Sequence, residues 1–458
     1  MKKSIFAALI VLLVIGLLPI IGNTFIKNTI DTRVTKLKVY GLETKKDEYS
    51  ATYLHSSRHF EFLLDDPKTF LKYLSQYSGK QIPPYVNAMV NGVLIGVDIE
   101  YSNLPFAKAF EIDIYPMSLS QEMSQALQKR EEGFARYVEK FVSSKGILYH
   151  INYNLLNDDF KGYVKDIQEK YVFKDGVKMN TTLQKLTFKG NGPLLAPVEL
   201  KSQMKIFSLN LLQKEQELKI LFENIKSTSN FASSDTYLTS LDLQHMQILL
   251  EGTQEDANIT LQNLRVNASS NDQDKTIQLN SKTSIDSVSI ASNRVHLAMK
   301  KFNFDIALSG LDKKTFIDLK TLMAHNDVAM TPATLTALQR KSIELLSKGM
   351  VLDIADFSLK SFTTQKTSKL KGFKTQAKVT LQADKELATK IHISPLLAIA
   401  DINLLSKSKI SKKMFMTLIE KNGFLAALYT YAKEEGDFYL FDIQFQNAQA
   451  TINGKRLH

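Results

Sequence analysis

The sequence predicts an α+β body, mostly antiparallel β, behind one N-terminal transmembrane helix. Three observations carry this. Ser4 to Ile26 is a stretch of 23 residues without a charge, and Ile5 to Ile21 within it is apolar apart from Gly16 and Pro19. Beyond it, the dominant pattern is apolar/polar alternation in short segments separated by polar turns, the mark of a long β-meander. Helical patterns are few and interrupt the meander instead of alternating with its strands, which argues against an α/β fold.

As a helix rising ~1.5 Å per residue, the uncharged stretch can cross a hydrocarbon core of ~30 Å. A single span followed by a long polar chain describes a tethered protein. Signal cleavage calls for a short apolar region and a small-x-small site. Pro19-Ile20-Ile21-Gly22-Asn23-Thr24 has no such pattern, and the absence of cysteine excludes lipoprotein processing. An uncleaved anchor is the expectation. Lys2 and Lys3 precede the span, while Lys27, Arg33, Lys36 and Lys38 follow it. A literal count of flanking bases would leave the body in the cytoplasm, but that rule weakens for long translocated domains. The Lys-Lys lead into an apolar core is the export signature. The expected location is the bacterial inner membrane, single-pass, with the large domain in the periplasm. Zero cysteine fits an exported domain without disulfides and equally a reducing compartment.

The elements follow in order. Thr32 to Tyr40 reads as an opening strand. Val97 to Tyr101 and Phe110 to Tyr115 set apolar residues on one face and acids on the other, and Ile147 to Leu155 alternates over nine residues. Such strands have one covered and one wet face. The pattern continues through Leu183–Phe188, Met204–Leu212, Leu218–Ile225, Leu241–Leu249, Ile259–Val266, Ser284–Ile290, Val295–Phe304 and Phe304–Leu308. It returns at Leu352–Leu359, Phe373–Leu381 and Phe438–Phe445. Asp66 and Asp312 are placed to cap helices from Pro67 and to about Ala324. Ser120 with Gln121 to Val142 reads as one amphipathic helix, Thr331-Pro332 opens another through Leu346, and Lys412 to Lys433 is a last one that Gly423 kinks or divides. The organisation expected is residues 1–26 as cytoplasmic start and anchor, 27–300 as an N-terminal β-rich region and 301–458 as a C-terminal α+β region.

The chain carries 58 Lys and Arg against 47 Asp and Glu, a net charge of +11. The bases are dispersed and form no arginine-rich or aromatic-basic motif, so no nucleic acid is expected as a partner. Anionic head groups opposite a basic envelope protein account for the sign, as does plain solubilising charge. His55 and His59 are the nearest thing to a ligand pair. Their surroundings read as strand, where positions four apart are ~13 Å apart and cannot share a metal. Asp65-Asp66, Asp158-Asp159 and Glu434-Glu435-Gly436-Asp437 suit caps and turns. No P-loop, nucleophile elbow or dinucleotide fingerprint is present, and Gly190-Asn191-Gly192-Pro193 is a turn. No catalytic, cofactor-binding or metal residues are assigned, and no cofactor is expected.

Four segments resemble the YdgA family of proteobacterial envelope proteins: the Met-Lys-Lys start, Phe304 to Lys313, Gly349 to Leu359, and the tail from Gly436 through Ala448-Gln449-Ala450-Thr451-Ile452-Asn453-Gly454-Lys455-Arg456-Leu457. Arg456 stands where that family usually has Pro, and roughly Tyr171 to Val295 carries little of the likeness. The resemblance implies an inner-membrane anchor, a periplasmic β-rich body and homodimerisation, with no enzyme activity.

A long sheet with one apolar face must cover it with helices, another sheet, a partner or lipid. If the sheet curves into a groove, acyl chains can fill it. If the helices close an ordinary core, Met414, Phe415, Leu418 and Leu425 pack the sheet or a dimer partner. Asp437 to Leu457 supplies closing strands, with Asn453-Gly454 in a turn. The function expected is non-enzymatic cell-envelope maintenance through a hydrophobic ligand (lipid) or partner protein. The alternatives are a structural homodimeric scaffold or a hydrolase acting on an envelope polymer.

Overall fold

The alternating segments form two antiparallel meanders, one in each of the two units into which the chain divides, Met1–Lys214 and Glu215–His458. The structure is a computed structural model. It describes residues 23–24, 26–78, 82, 85–104, 110–194, 196–233, 235–252, 256–324, 332–365, 367–420 and 423–457. The apolar run Ile5 to Ile21, expected as an anchor, lies outside the described residues. Among those described, no helix is long and apolar enough to cross a membrane.

The first unit opens with helix α1, residues 26–39. Thr32 to Val39 is therefore helical, with Tyr40 in the turn that follows, and not the strand that the alternation of Thr32 to Tyr40 suggests. Ile26, Ile30, Val34 and Leu37 recur at helical spacing, and all four join the core over the sheet. Burial of that stripe outweighs the local alternation of Thr, Lys and Val. Strands β1 (Leu42–Ala51), β2 (His55–Leu64), β3 (Leu94–Ser102), β4 (Phe110–Pro116), β5 (Tyr149–Asn154) and β6 (Asp159–Val164) pair in sequence order. Next, β7 (Ile167–Val172) pairs with β8 (Lys178–Gln184), and β9 (Leu186–Asn191) with β6. Strand β10 (Glu199–Gln213) then pairs with β9 and β8 in turn, which act as one strand broken at Lys185 (φ 54°).

Among the described residues four helices interrupt this meander: α2 (Pro67–Ser78), α3 (Tyr85–Val90), α4 (Gln121–Arg130) and α5 (Glu132–Ser143). Asp66 caps α2 as expected, accepting the Thr69 N–H at 3.1 Å. The single helix read from Gln121 to Val142 is two. Glu131 between them is extended (φ −162°, ψ 118°), and its carboxylate accepts from the Tyr171 hydroxyl at 2.6 Å and the Lys174 N–H at 3.0 Å. A tertiary contact breaks the helix where local propensity would continue it.

In the second unit the strands are long: β11 (Gln216–Phe231), β12 (Tyr237–Glu251), β13 (Ala257–Gln273), β14 (Thr276–Ser292), β15 (His296–Asp312), β16 (Met350–Thr364) and β17 (Thr367–Leu381). Each pairs with the next, and at ~3.3 Å per residue they run about 50 Å. Helices α6 (Lys313–Ala324) and α7 (Pro332–Ser347) interrupt between β15 and β16, and α8 (Leu387–Ile393) and α9 (Pro395–Ala398) follow β17. The remaining elements are β18 (Ile402–Ser411), α10 (Lys412–Ile419), α11 (Gly423–Tyr429), β19 (Lys433–Glu435), β20 (Phe438–Gln446), β21 (Gln449–Ile452) and β22 (Lys455–Arg456). Asp312 caps α6 through the Thr315 N–H at 2.9 Å, and the helix expected over Lys412–Lys433 is divided before Gly423. Strand β18 pairs with β20, which carries β19 and β21 on its other edge.

One transverse line explains why these strands looked short in the sequence. At a single level of the ladder, Asn224, Asn263 and Lys301 adopt positive φ (53°, 53° and 51°) on alternate strands. Asn224 donates to Gln244 at 2.6 Å and Asn263 to Asp286 at 2.8 Å along that line. There the apolar alternation slips by one residue on every strand, between Phe222 and Ile225, Leu243 and Met246, Leu261 and Leu264, Ile285 and Val288, and Met299 and Phe302. A left-handed residue flips the pleat, and the slip in sequence restores apolar residues to the same face. On β17 the level falls at Gly372, where a Cβ would lie 1.7 Å from the Leu359 carbonyl oxygen.

The tail closes on a tight hairpin with Asn453 (φ 51°) and Gly454 (φ 79°) between β21 and β22, the Asn-Gly turn expected there. Asn453 also donates to the Tyr431 and Leu440 carbonyls at 2.7 and 2.9 Å and accepts the Asp442 N–H at 2.8 Å. Replacing Asn453 by Ala strands these partners and should lower stability to urea by roughly 3 kcal/mol. Gly372→Ala, by forcing two strands apart, should lower it by about 1–3 kcal/mol.

Candidate functional site

In the second unit the register sorts side chains by chemistry. Directly opposed residues of an antiparallel pair share a face, so continuous apolar rows can be traced across the sheet. One runs Ile220, Ile248, Ile259, Ile290, Leu297. Another runs Ile225, Leu243, Leu264, Ile285, Phe302, Leu359, Phe373, Ile410. The intervening rows, such as Lys226, Asp242, Arg265, Ser284, Asn303, Ser358, Lys374 and Lys409, are polar and lie on the other face. Near the middle of the apolar face an aromatic group forms around Phe357, with Phe373, Phe304 and Phe302 at 4.8, 5.5 and 6.1 Å between ring centroids. These four rings are half-buried.

Helices cover parts of this face. Residues Phe316, Ile317 and Leu319 of α6 and Leu345 of α7 pack on Ile277 and Leu311 at one end of the long strands. Phe415 of α10 packs on Tyr439 and Phe441, 5.4 and 5.2 Å away. Of the residues expected to pack here, Phe415 is buried, Met414 half-buried and Leu418 exposed; the Leu425 side chain lies outside the described residues.

The first unit holds a second apolar site, a cavity of about 350 Å³ between α1, α2 and strands β2 to β5. Ile30, Val34 and Leu37 of α1 face Phe60, Val97 and Ile112 of the sheet across it. Two polar fastenings hold α1 in place. Arg58 on β2, 7% exposed, grips both carboxylate oxygens of Asp47 at 2.8 and 2.6 Å and Asp31 of α1 at 2.5 Å, with its guanidinium over the Phe60 ring. Ahead of α1, the Asn23 amide oxygen accepts from Tyr49, Ser56 and Tyr101 at 2.8, 3.2 and 3.2 Å. Neither fastening was legible in sequence, because they join residues 11 to 78 positions apart.

Most of the residues weighed for chemistry are engaged by neighbours. His55 and His59 lie four apart on β2. His59 meets Asp98 at 2.6 Å and Glu61 at 3.4 Å through its two ring nitrogens, and Lys145 donates to the other Asp98 oxygen at 2.7 Å. Burial pushes the Asp98 carboxyl up, but hydrogen bonds from Lys145 and His59 outweigh it and hold the group below the usual range. Asp66 caps a helix, Asp158 accepts from Tyr153 at 2.5 Å, and Glu435 and Asp437 pair with Lys409 and Lys371 at 2.6 and 2.5 Å. Glu434 pairs with Lys412. Among the described residues no group of three His, Asp or Glu is placed to hold a metal ion.

Fold and surfaces define a one-sided antiparallel β protein with two apolar sites. The chain belongs to a bacterial protein family of unknown function, DUF945, whose profile matches residues 163–458. That span takes in the whole second unit with its apolar face, and the last strands of the first. No curated protein and no solved structure matches.

The Arg58 grip has a pH signature. Its hydrogen bonds lower the Asp47 carboxyl below its ordinary value. A carboxylate depressed in the folded state stabilises above its unfolded pKa of ~4, and that contribution is lost as pH falls through the lower folded value. Thermal stability should therefore hold from pH 8 to 5 and fall below about pH 4, with a smaller fall in Asp47→Asn. Arg58→Ala removes the buried guanidinium but leaves two carboxylates that are about 40% exposed and stay solvated, so it should lower stability by about 1–2 kcal/mol, and Arg58→Lys should recover little of it because the two-oxygen grip needs a guanidinium.

Proposed function

We propose that this chain is a membrane-anchored periplasmic protein of the YdgA-like envelope type that binds acyl chains of lipid and performs no covalent chemistry. The observation that carries the reading is the half-exposed apolar face of the second unit, continuous across the long strands and backed by a wholly different, polar face. Alternation this strict places apolar area on one side of the sheet, and about 25 cal/mol per Å² favours covering that area. Helices do so at its margins. An acyl chain suits the remainder because the rows offer breadth and aromatic surface, with small hydroxyl residues such as Thr283 and Thr375 opposite Phe304 and Phe357. The anchor expected at Ile5 to Ile21 would keep such a protein beside its source of lipid. The acidic pairs that a hydrolase would draw on serve caps, turns and ion pairs instead, which favours the non-enzymatic reading.

The test is native mass spectrometry of the full chain purified in mild detergent, with extraction of bound lipid. Near-stoichiometric phospholipid is expected. Phe357→Asp, which puts a charge among the aromatic rings, should remove most of it, while Ser284→Asp on the polar face should not. A lipid-free particle with the mass of two chains would replace this reading with a homodimeric scaffold.

A further inference from the structure

We infer that the cavity beneath α1 receives one acyl chain of an anionic membrane phospholipid and that Arg33 holds its head group. The inference rests on the lipid-binding reading above and adds a second, separate site with a stated occupant. Three features of the first unit point the same way. The cavity, about 350 Å³, lies at the small end of the ~300–1,000 Å³ typical of ligand pockets. That is room for one alkyl chain and not for the body of a two-chain lipid. Its walls are hydrocarbon and aromatic, α1 supplying Ile30, Val34 and Leu37 and the sheet Phe60, Val97 and Ile112. Protein interiors are otherwise packed with few voids larger than a water molecule.

The charge at its rim is the second feature. Arg33 lines the cavity from α1 with an exposed side chain, and it has no ion-pair partner among the described residues. Lys27, Lys36 and Lys38 share the same helix. A guanidinium grips phosphate oxygens two at a time, and basic residues next to a membrane draw anionic head groups. The third feature is where the chain outside the described residues ends. The apolar run stops at Ile21, and Asn23, which fastens α1 to the sheet, is two residues on. The helix that walls the cavity thus starts close in sequence to the expected anchor, and Asn23 ties that start to the sheet of the first unit. A lipid leaving a bilayer crossed by that run would find this site a few residues from the anchor.

The test places the full chain in nanodiscs with phosphatidylglycerol bearing a photoreactive group on one acyl chain, and maps crosslinks by mass spectrometry. Phosphatidylethanolamine with the same chain is the comparison. Crosslinks are expected on peptides carrying Ile30 to Leu37 and on those carrying Val97 or Ile112, with phosphatidylglycerol preferred. Val34→Trp, which fills the cavity, should cut them at least tenfold and spare crosslinks in the second unit. Arg33→Glu, at an exposed position that does not threaten folding, should lower phosphatidylglycerol labelling at least threefold and leave phosphatidylethanolamine unchanged. Labelling confined to Glu215–His458 would overturn this inference and leave the broader reading standing. No labelling in either unit beyond the anchor would overturn both. Equal labelling by the two lipids, indifferent to Arg33→Glu, would overturn the role given to Arg33.

Discussion

A sheet whose residues alternate strictly has one face that water does not favour, and something must lie against it. That constraint organises both units. In the first, the chain answers it locally: a basic, amphipathic helix is laid over strands β1 to β5 with its Ile-Ile-Val-Leu stripe inward. In the second, seven strands of 15 to 17 residues generate more apolar surface than the short helices α6, α7 and α10 cover. The difference follows from size. Helices of 8 to 16 residues span at most ~24 Å at 1.5 Å per residue, about half the length of the strands they lie on.

The polar fastenings matter because apolar packing alone is permissive about direction. Ile26, Ile30, Val34 and Leu37 would accept many angles against a flat apolar surface. Arg58, by gripping Asp47 on its own sheet and Asp31 on the helix, allows few. The guanidinium is buried while both carboxylates are more than a third exposed, so losing an aspartate leaves the arginine short of a partner, whereas losing the arginine leaves carboxylates that water still reaches. Asn23 adds a carbonyl oxygen that accepts from three hydroxyls, those of Tyr49, Ser56 and Tyr101, just ahead of α1. If residues 5–21 cross the bilayer, as proposed, this fastening keeps α1 and the sheet of the first unit close to it.

Much of the fold could be read from residues in order. Period-two alternation located most strands, and the caps at Asp66 and Asp312, the Pro332 start and the Asn453-Gly454 turn were visible because each depends on chemistry within a few residues. Three readings failed for one shared reason. The helix at Thr32 to Val39 is chosen by the sheet beneath it, the break at Glu131 by Tyr171 and Lys174 some forty positions on, and the length of the strands by a crease that only neighbouring strands reveal. The crease did leave a trace, since apolar residues three apart recur in consecutive segments. Read one strand at a time, the slip looked like a strand ending.

The sequence by itself determined that the body is antiparallel β, that each strand has one apolar and one polar side, and that an uncharged run precedes it all. Those are properties of neighbours along a chain. Only the tertiary structure decided which apolar residues join into rows, that Asn224, Asn263 and Lys301 fall on one line, and that α1 closes over a cavity with Arg33 at its edge. Register supplies the reason. Pairing residues from distant segments converts a repeated local pattern into a surface, and the extent of a surface cannot be read from any one of its strands.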